Sequence, residues 1–188
     1  MLECPEEASP ICGKKACSSP GRYECADCDN PTLFCKDCLV ESHRWLPLHR
    51  PMKWNGTYYQ KESFSNLGLV WYFGHGGIPC PYVYDGRGIQ ELTVLDLNGI
   101  HKVSVGYCQC AKGPEIAEQI FLVKLFPATV LRPQTAFSFR ALKLFHMVHL
   151  TAHTKAWDFI GTMHRLTDCL DIKALHVSIL RNLFKADD

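Results

Sequence analysis

The chain has 188 residues, of which 47% are hydrophobic and 21% charged, and these globular proportions exclude a wholly disordered protein. The 20 Lys and Arg nearly balance the 19 Asp and Glu, and a formal charge of +1 excludes a polybasic nucleic-acid binder. No run reaches the roughly 18 apolar residues of a membrane span, and the acidic N-terminus does not have the pattern of a signal peptide.

The content of 11 cysteines and 9 histidines is unusual. Without a signal peptide we expect a reducing compartment, cytosolic or nuclear, where clustered cysteines bind metal more often than they form disulfides. The cysteines crowd near the N-terminus, and strand-rich and then helical patterns follow them. The sequence therefore predicts an α+β protein with three parts. These are a zinc-stapled module over residues 1–54, a β-rich region over 55–134 and a helical segment over 135–188.

The first segment is too small and too polar to fold by hydrophobic burial alone, and chains of this size usually need a metal or a disulfide. Two Cys-x2-Cys knuckles, a leading cysteine pair and a trailing histidine pair supply eight candidate ligands. Zinc takes four such ligands in a tetrahedron, so the spacing predicts two zinc ions. A cross-braced pairing assigns one ion to Cys12, Cys17, Cys35 and Cys38, and the other to Cys25, Cys28, His43 and His49.

This arrangement resembles B-box and RING-like zinc modules, particularly over residues 33–43. The gap from Cys12 to Cys17 is wider than usual, which leaves Cys4 as an alternative ligand. The competing interpretation is that these residues are unpaired core cysteines or disulfides.

The middle segment is rich in strand signals. Residues 67–73 are aromatic and β-branched and end at a glycine cluster, and residues 120–126 form a second apolar run before Pro127. Residues 92–97 and 100–107 flank Asn98-Gly99, and this dipeptide is the strongest short signal for a hairpin with a type I′ turn.

A third metal site is predicted near the end of this hairpin. His75 and Cys80 lie in the glycine-rich loop, and Cys108 and Cys110 could both reach one ion if the hairpin folds back on that loop. His101 is an alternative ligand. The competing interpretation is buried cysteines and solvated histidines.

The tail changes to a helical period. One stripe runs from Phe137 to Val148, a second from Ala156 to Leu166, and a third helix is predicted over residues 171–185. His146, His149 and His153 share one helical face, which we interpret as a partly solvated face.

Several stretches together resemble the CxC-type cysteine-cluster domain associated with KDZ transposases of basidiomycete fungi. The resemblance covers roughly residues 20–170 and rests on motifs in a fixed order: residues 25–38, 49–56, 65–69, 74–75, 80–81, 97–101, 108–110, 126–129, 144–146, 157–159 and 165–168. It implies zinc chelation and a position N-terminal to an RNase H-like transposase core. The three metal-binding carboxylates of that core are not recognisable here.

The resemblance implies a nuclear, noncatalytic zinc-binding module that targets DNA or chromatin or helps assemble the transposition complex. Candidate phosphate contacts, with Trp45 and Trp54 nearby for base stacking, are Lys14, Lys15, Arg22, Arg44, Arg50 and Lys53. Alternatively, these are solvated charges and core aromatics.

The main alternative function is a B-box-like module that binds protein and not DNA. Zinc sites of four, two and three thiolates move the net charge from +1 to about −2, which favours this alternative. An enzyme is not expected, because the acidic residues have no catalytic spacing and the clustered cysteines would be capped by metal. Neither a small-molecule substrate nor a membrane partner is expected.

Overall fold

The computed structural model of the chain describes residues 10–30, 32–83 and 88–167. It is a mixed α+β protein, which confirms the predicted class, and it divides into two compact units, Met1–Trp71 and Tyr72–Asp188. The predicted three-part division at residues 54 and 134 stays a prediction. Among the described helices, none has the length and apolar character to cross a bilayer.

Where the structure describes it, the first unit is a small antiparallel sheet with one short helix. The sheet order is β1 (Tyr23–Cys25), β2 (Pro51–Trp54), β3 (Tyr59–Lys61), and helix α1 spans Lys36–Ser42. Leu39 of α1 is fully buried, against a core of Cys25, Phe64, Leu67 and Leu69. So small a core buries little apolar surface, which is the physical reason for expecting a further staple.

The second sheet has five strands in the order β4 (Val70–Tyr72), β6 (Gly99–Gly106), β5 (Ile89–Asp96), β8 (Thr135–Ser138), β7 (Leu125–Pro127). Strand β5 pairs antiparallel with β6 and parallel with β8, and β8 pairs antiparallel with β7. A 3₁₀ turn at His75–Gly77 precedes β5. The helices are α2 (Ile116–Leu122), α3 (Phe139–Ala152) and α4 (Ala156–Thr167).

The second core lies between this sheet and the last two described helices. Leu95, Ile100 and Phe137 from the strands pack with Phe159 and Met163 of α4. The apolar stripe predicted from Ala156 to Leu166 is therefore a helix, as expected, and its inner face covers the sheet. The predicted third helix at 171–185 lies outside the described residues.

The predicted hairpin is present, but its turn is displaced by one residue. Asp96 pairs with Gly99, so Leu97 and Asn98 form the turn and not Asn98-Gly99. Gly99 has φ 137°, so the freedom of glycine is used at the first residue of β6. The type I′ turn on Asn-Gly was wrong.

Three element boundaries also differ from the prediction. The run 120–126 is the end of α2 followed by β7, because Glu115 and Glu118 form a capping box and Lys124, at φ 62°, reverses the chain. Of the predicted strand 67–73, the structure forms a strand over Val70–Tyr72. Phe137 belongs to β8, since the Ser138 hydroxyl accepts from the amide of Ala141 and begins α3 only at residue 139.

Candidate metal centres and basic surface

Four cysteines of the first unit converge on one point. The Sγ atoms of Cys12, Cys17, Cys35 and Cys38 all lie within 4.8 Å of one another, and Cys17 Sγ is 3.8 Å from Cys35 Sγ. Cys35 is the N-cap of α1 and Cys38 lies in its first turn. The wide gap from Cys12 to Cys17 is taken up by a turn, in which the amide of Cys17 donates to the carbonyl of Lys14 at 3.1 Å.

The thiols of this cluster differ in acidity. A hydrogen bond from the backbone of Ser19 lowers the pKa of Cys17 to about 7, while a hydrogen bond with the Cys35 sulfur raises the pKa of Cys38 to about 12. Neighbouring thiolates repel one another, so all four ionise together only when a cation neutralises them.

A second cluster joins Cys25, Cys28, His43 and His49. Cys28 Sγ lies 3.3 Å from His43 Nε2 and 3.4 Å from His49 Nδ1, and Cys25 Sγ lies 3.5 Å from His49 Nδ1. His43 is 4% exposed, and its Nδ1 is 3.0 Å from the carbonyl of Leu39. A proton on Nδ1 that is donated to this carbonyl leaves Nε2 as the ligand atom. Burial lowers the pKa of His43, which favours the neutral form that binds metal.

Asp27, inside the knuckle of this second cluster, is a supporting residue that sequence reasoning missed. Its carboxylate accepts from the backbone amide of Arg50 at 2.7 Å and from Arg50 Nη2 at 2.6 Å. Arg50 directly follows the candidate ligand His49, so this ion pair ties the cysteine knuckle to the histidine end of the cluster.

The third cluster lies in the second unit and joins His75, Cys80, Cys108 and Cys110. His75 Nε2 is 3.2 Å from Cys108 Sγ and 3.5 Å from Cys110 Sγ, and the sulfurs of Cys80 and Cys110 are 3.9 Å apart. The Gln109 amide donates to Cys80 Sγ at 3.4 Å and lowers the pKa of Cys80 to about 6. His101, the alternative ligand, is instead 2.7 Å from Asn98 Oδ1.

These separations suit a tetrahedral ion. Zinc–sulfur bonds of about 2.3 Å and zinc–nitrogen bonds of about 2.0 Å imply ligand edges of about 3.8 Å between sulfurs and about 3.5 Å between sulfur and nitrogen. The observed contacts of 3.8, 3.9 and 3.2–3.5 Å match those edges and exceed a disulfide bond of about 2.05 Å. Each of the three clusters could therefore hold one metal ion. The alternative ligand Cys4 lies outside the described residues.

The basic candidates lie in different settings. Lys14 forms an ion pair with Glu41, and Arg50 is held by Asp27. Lys53 Nζ is 6.0 Å from the ring of Tyr23, and Arg44 lies 5.6 Å from the ring of Trp45, while Lys15 and Arg22 are exposed. Phosphate contact by these six residues stays a prediction.

The two tryptophans offered for base stacking differ. Trp45 is 65% exposed, whereas Trp54 is 8% exposed and packs on Tyr59 with ring centroids 5.1 Å apart. Trp54 is therefore buried, which contradicts the stacking interpretation and agrees with the alternative interpretation as a core aromatic.

Residues 64–171 match the family model described as CxC2-like cysteine cluster associated with KDZ transposases. The chain belongs to this family. The resemblance to the CxC cysteine clusters is thereby confirmed, and the matched residues include the whole third cluster. The first two clusters precede the match, so their B-box-like character stays an interpretation. No curated protein and no solved structure is significantly similar to the chain.

Proposed function

We propose that this CxC2 domain is a noncatalytic, zinc-stabilised recognition module of a KDZ transposition complex. The observation that carries this proposal is the presence of three clusters with four protein ligands each. A metal ion bound by four protein ligands has a complete coordination shell and leaves no position for a catalytic water. Zinc is the expected ion, since it takes sulfur and nitrogen ligands in tetrahedra. A role in transposition implies a nuclear location.

Assembly through a protein partner is the role that the surface supports best. Arg44, Trp45 and Leu46, which we call the Trp45 surface, lie on the loop between the ligands His43 and His49. Trp45 is 65% and Leu46 41% exposed. The amide of Leu46 donates to the His43 carbonyl at 2.8 Å, and that of His49 to the Leu46 carbonyl at 3.1 Å.

A metal ion that fixed both histidines would hold this loop rigid, and rigid Trp and Arg side chains are enriched at interface hot spots. The charge of the chain also favours a protein partner, because Lys14 and Arg50 are paired with carboxylates and the zinc-loaded chain would carry about −2. The partner we propose is the catalytic core of a KDZ transposase.

Calorimetric titration of the zinc-loaded chain with a purified KDZ transposase core tests this proposal. Trp45→Ala should weaken binding roughly 30-fold, the loss expected from a hot-spot tryptophan. Trp157→Ala is the matched control, since Trp157 is 52% exposed on α4 in the other unit. Absence of binding by the unchanged chain, or equal losses in both variants with zinc retained, would contradict the proposal.

DNA or chromatin targeting is the second candidate. It is favoured by the exposure of Lys15, Arg22 and Arg44, of which Arg44 lies over the ring of Trp45. If these residues and Lys53 each contact a phosphate, log K should fall with log salt with a slope of roughly −3 to −4. Arg44→Ala should then reduce the slope by about one. A flat titration on duplex and single-stranded DNA would remove this candidate.

A further inference from the structure

Gln119 of α2 is a buried polar residue next to the third cluster, and its side chain is 3% exposed. Its amide makes three hydrogen bonds. Gln119 Oε1 accepts from the backbone amide of Cys108 at 2.7 Å, and Nε2 donates to the carbonyls of Cys108 at 3.0 Å and Pro114 at 2.9 Å. Both backbone groups of one candidate ligand are therefore bound by a single side chain.

The hydrogen bonds from Gln119 take the place of strand pairing just beyond the end of the β5–β6 ladder. The pairing of β6 with β5 stops at Gly106, opposite Ile89, so Cys108 has no partner in that ladder. A primary amide presents one donor and one acceptor side by side, as a neighbouring strand does. Gln119 thus continues the β6 ladder to the residue whose sulfur lies 3.2 Å from His75 Nε2.

Two other ligands of the cluster are held by local turns. The amide of Val83 donates to the Cys80 carbonyl at 3.0 Å, and the amide of Gly113 to the Cys110 carbonyl at 2.8 Å. Cys108 instead depends on a side chain eleven residues away. The helix N-terminus sets the position of that side chain, since the capping box of Glu115 and Glu118 fixes the first turn of α2.

We propose that Gln119 is a positioning residue of the third metal site, which acts through the backbone of Cys108 and not on the ion itself. The proposal rests on metal binding by the third cluster, as argued above. Groups that orient a ligand typically change metal affinity 10- to 100-fold when they are replaced.

The test measures zinc affinity in the full chain by chelator competition, site by site. Gln119→Glu keeps the shape but removes the amide donor and sets a carboxylate oxygen against two carbonyls, whereas Gln119→Met removes the amide without adding charge. Cys110→Ser defines the signal of third-site loss, and Gln134→Ala, an exposed glutamine of the same unit, is the control.

Both Gln119 variants should weaken the third zinc roughly 10- to 100-fold and leave the other two zinc affinities unchanged. Replacement of Gln119 should change the hydrogen exchange of the β5–β6 amides less in the zinc-free chain than in the zinc-loaded chain. Equal loss of protection with and without zinc would assign Gln119 to folding alone and overturn the proposal, as would third-site affinity within twofold of the unchanged chain. If the unchanged chain and Cys110→Ser bind the same number of zinc ions, the third metal site itself is refuted, while the Trp45 surface is still judged by its own titration.

Discussion

At the scale of single residues, the second and third clusters combine their candidate ligands with groups that hold them. The Leu39 carbonyl faces His43, Asp27 binds Arg50 beside His49, and Gln119 binds Cys108. Such supporting groups orient the ligand and fix its protonation state. Precision in these sites therefore depends on residues that are not ligands.

Arg50→Ala is expected to lower the free energy of unfolding of the first unit by about 1–3 kcal/mol, the range for hydrogen bonds to charged groups. The reason is that Arg50 donates to Asp27 through its side chain, and Asp27 is only 13% exposed. Urea unfolding of the zinc-loaded chain measures the change. Arg44→Ala, a neighbouring exposed arginine, should stay within about 0.5 kcal/mol of the unchanged chain. Equal stabilities for both variants would show that the Asp27 contact does not stabilise the unit.

Spacing identified the twelve residues that the structure brings together in three clusters, because candidate ligands occur as short pairs such as Cys-x2-Cys. It could not identify the Asp27–Arg50 and Gln119–Cys108 contacts, since these side chains belong to no ligand spacing and no periodic pattern and meet only in the folded chain. Trp54 was misassigned for a related reason, because burial is decided by tertiary packing and not by residue type.

At the scale of elements, long periodic patterns were predictable and boundaries were not. The hairpin follows from the two apolar runs that flank Asn98-Gly99, and the helix α4 follows from helical spacing. The start of α3 depends on the cap at Ser138, and the parallel partner β8 depends on chain topology. Neither is encoded in a local apolar pattern.

The hairpin turn is predicted to tolerate no side chain at Gly99. This residue has φ 137°, and an added Cβ would lie 2.5 Å from Thr167 Oγ1, which accepts a hydrogen bond from the amide of Ile100. Gly99→Ala should therefore cost at least about 2 kcal/mol.

Hydrogen exchange of the β5–β6 amides would measure this cost. Gly56→Ala is a useful comparison, since Gly56 also has positive φ (101°) but no atom lies within 4 Å of the added Cβ. Its effect on the β2–β3 amides should be smaller, about 1 kcal/mol. If the two substitutions cost the same, the Thr167 contact does not contribute.

Removal of metal is predicted to destabilise the strands and helix of the first unit before those of the second unit. The first unit has short strands, one seven-residue helix and two clusters, whereas α4 and the β5–β6 hairpin share an apolar core. Structural zinc contributes roughly 10–16 kcal/mol in finger peptides, so a chelator should expose the amides of β1, β2 and α1 before those of β5 and β6.

Exchange mass spectrometry during chelation follows both sets of amides. Cys28→Ser and Cys35→Ser should be equally damaging, since each removes one ligand from a closed cluster. Simultaneous loss of protection in both units, or unchanged protection throughout, would contradict the predicted order.

At the scale of the whole molecule, zinc bound in all three clusters would reverse the sign of the formal charge. A zinc ion with four thiolates carries −2, one with two thiolates and two imidazoles is neutral, and one with three thiolates carries −1. Three loaded clusters therefore change the formal charge of +1 to about −2. A weakly acidic surface favours a protein partner over bulk attraction to DNA.

Capillary electrophoresis at neutral pH, combined with elemental zinc analysis, tests this charge assignment. The zinc-loaded chain should contain three zinc ions and migrate with a net charge of about −2. Cys35→Ser should lose one zinc ion and, with it, a site of charge −2, so its mobility shifts towards the cathode. Cys28→Ser should also lose one ion but should change the mobility less, because its site is neutral when loaded. A zinc-loaded chain that still migrates towards the cathode would contradict this charge assignment, and so would an equal mobility change in both variants. Either result would show that zinc does not displace the thiol protons of the three clusters.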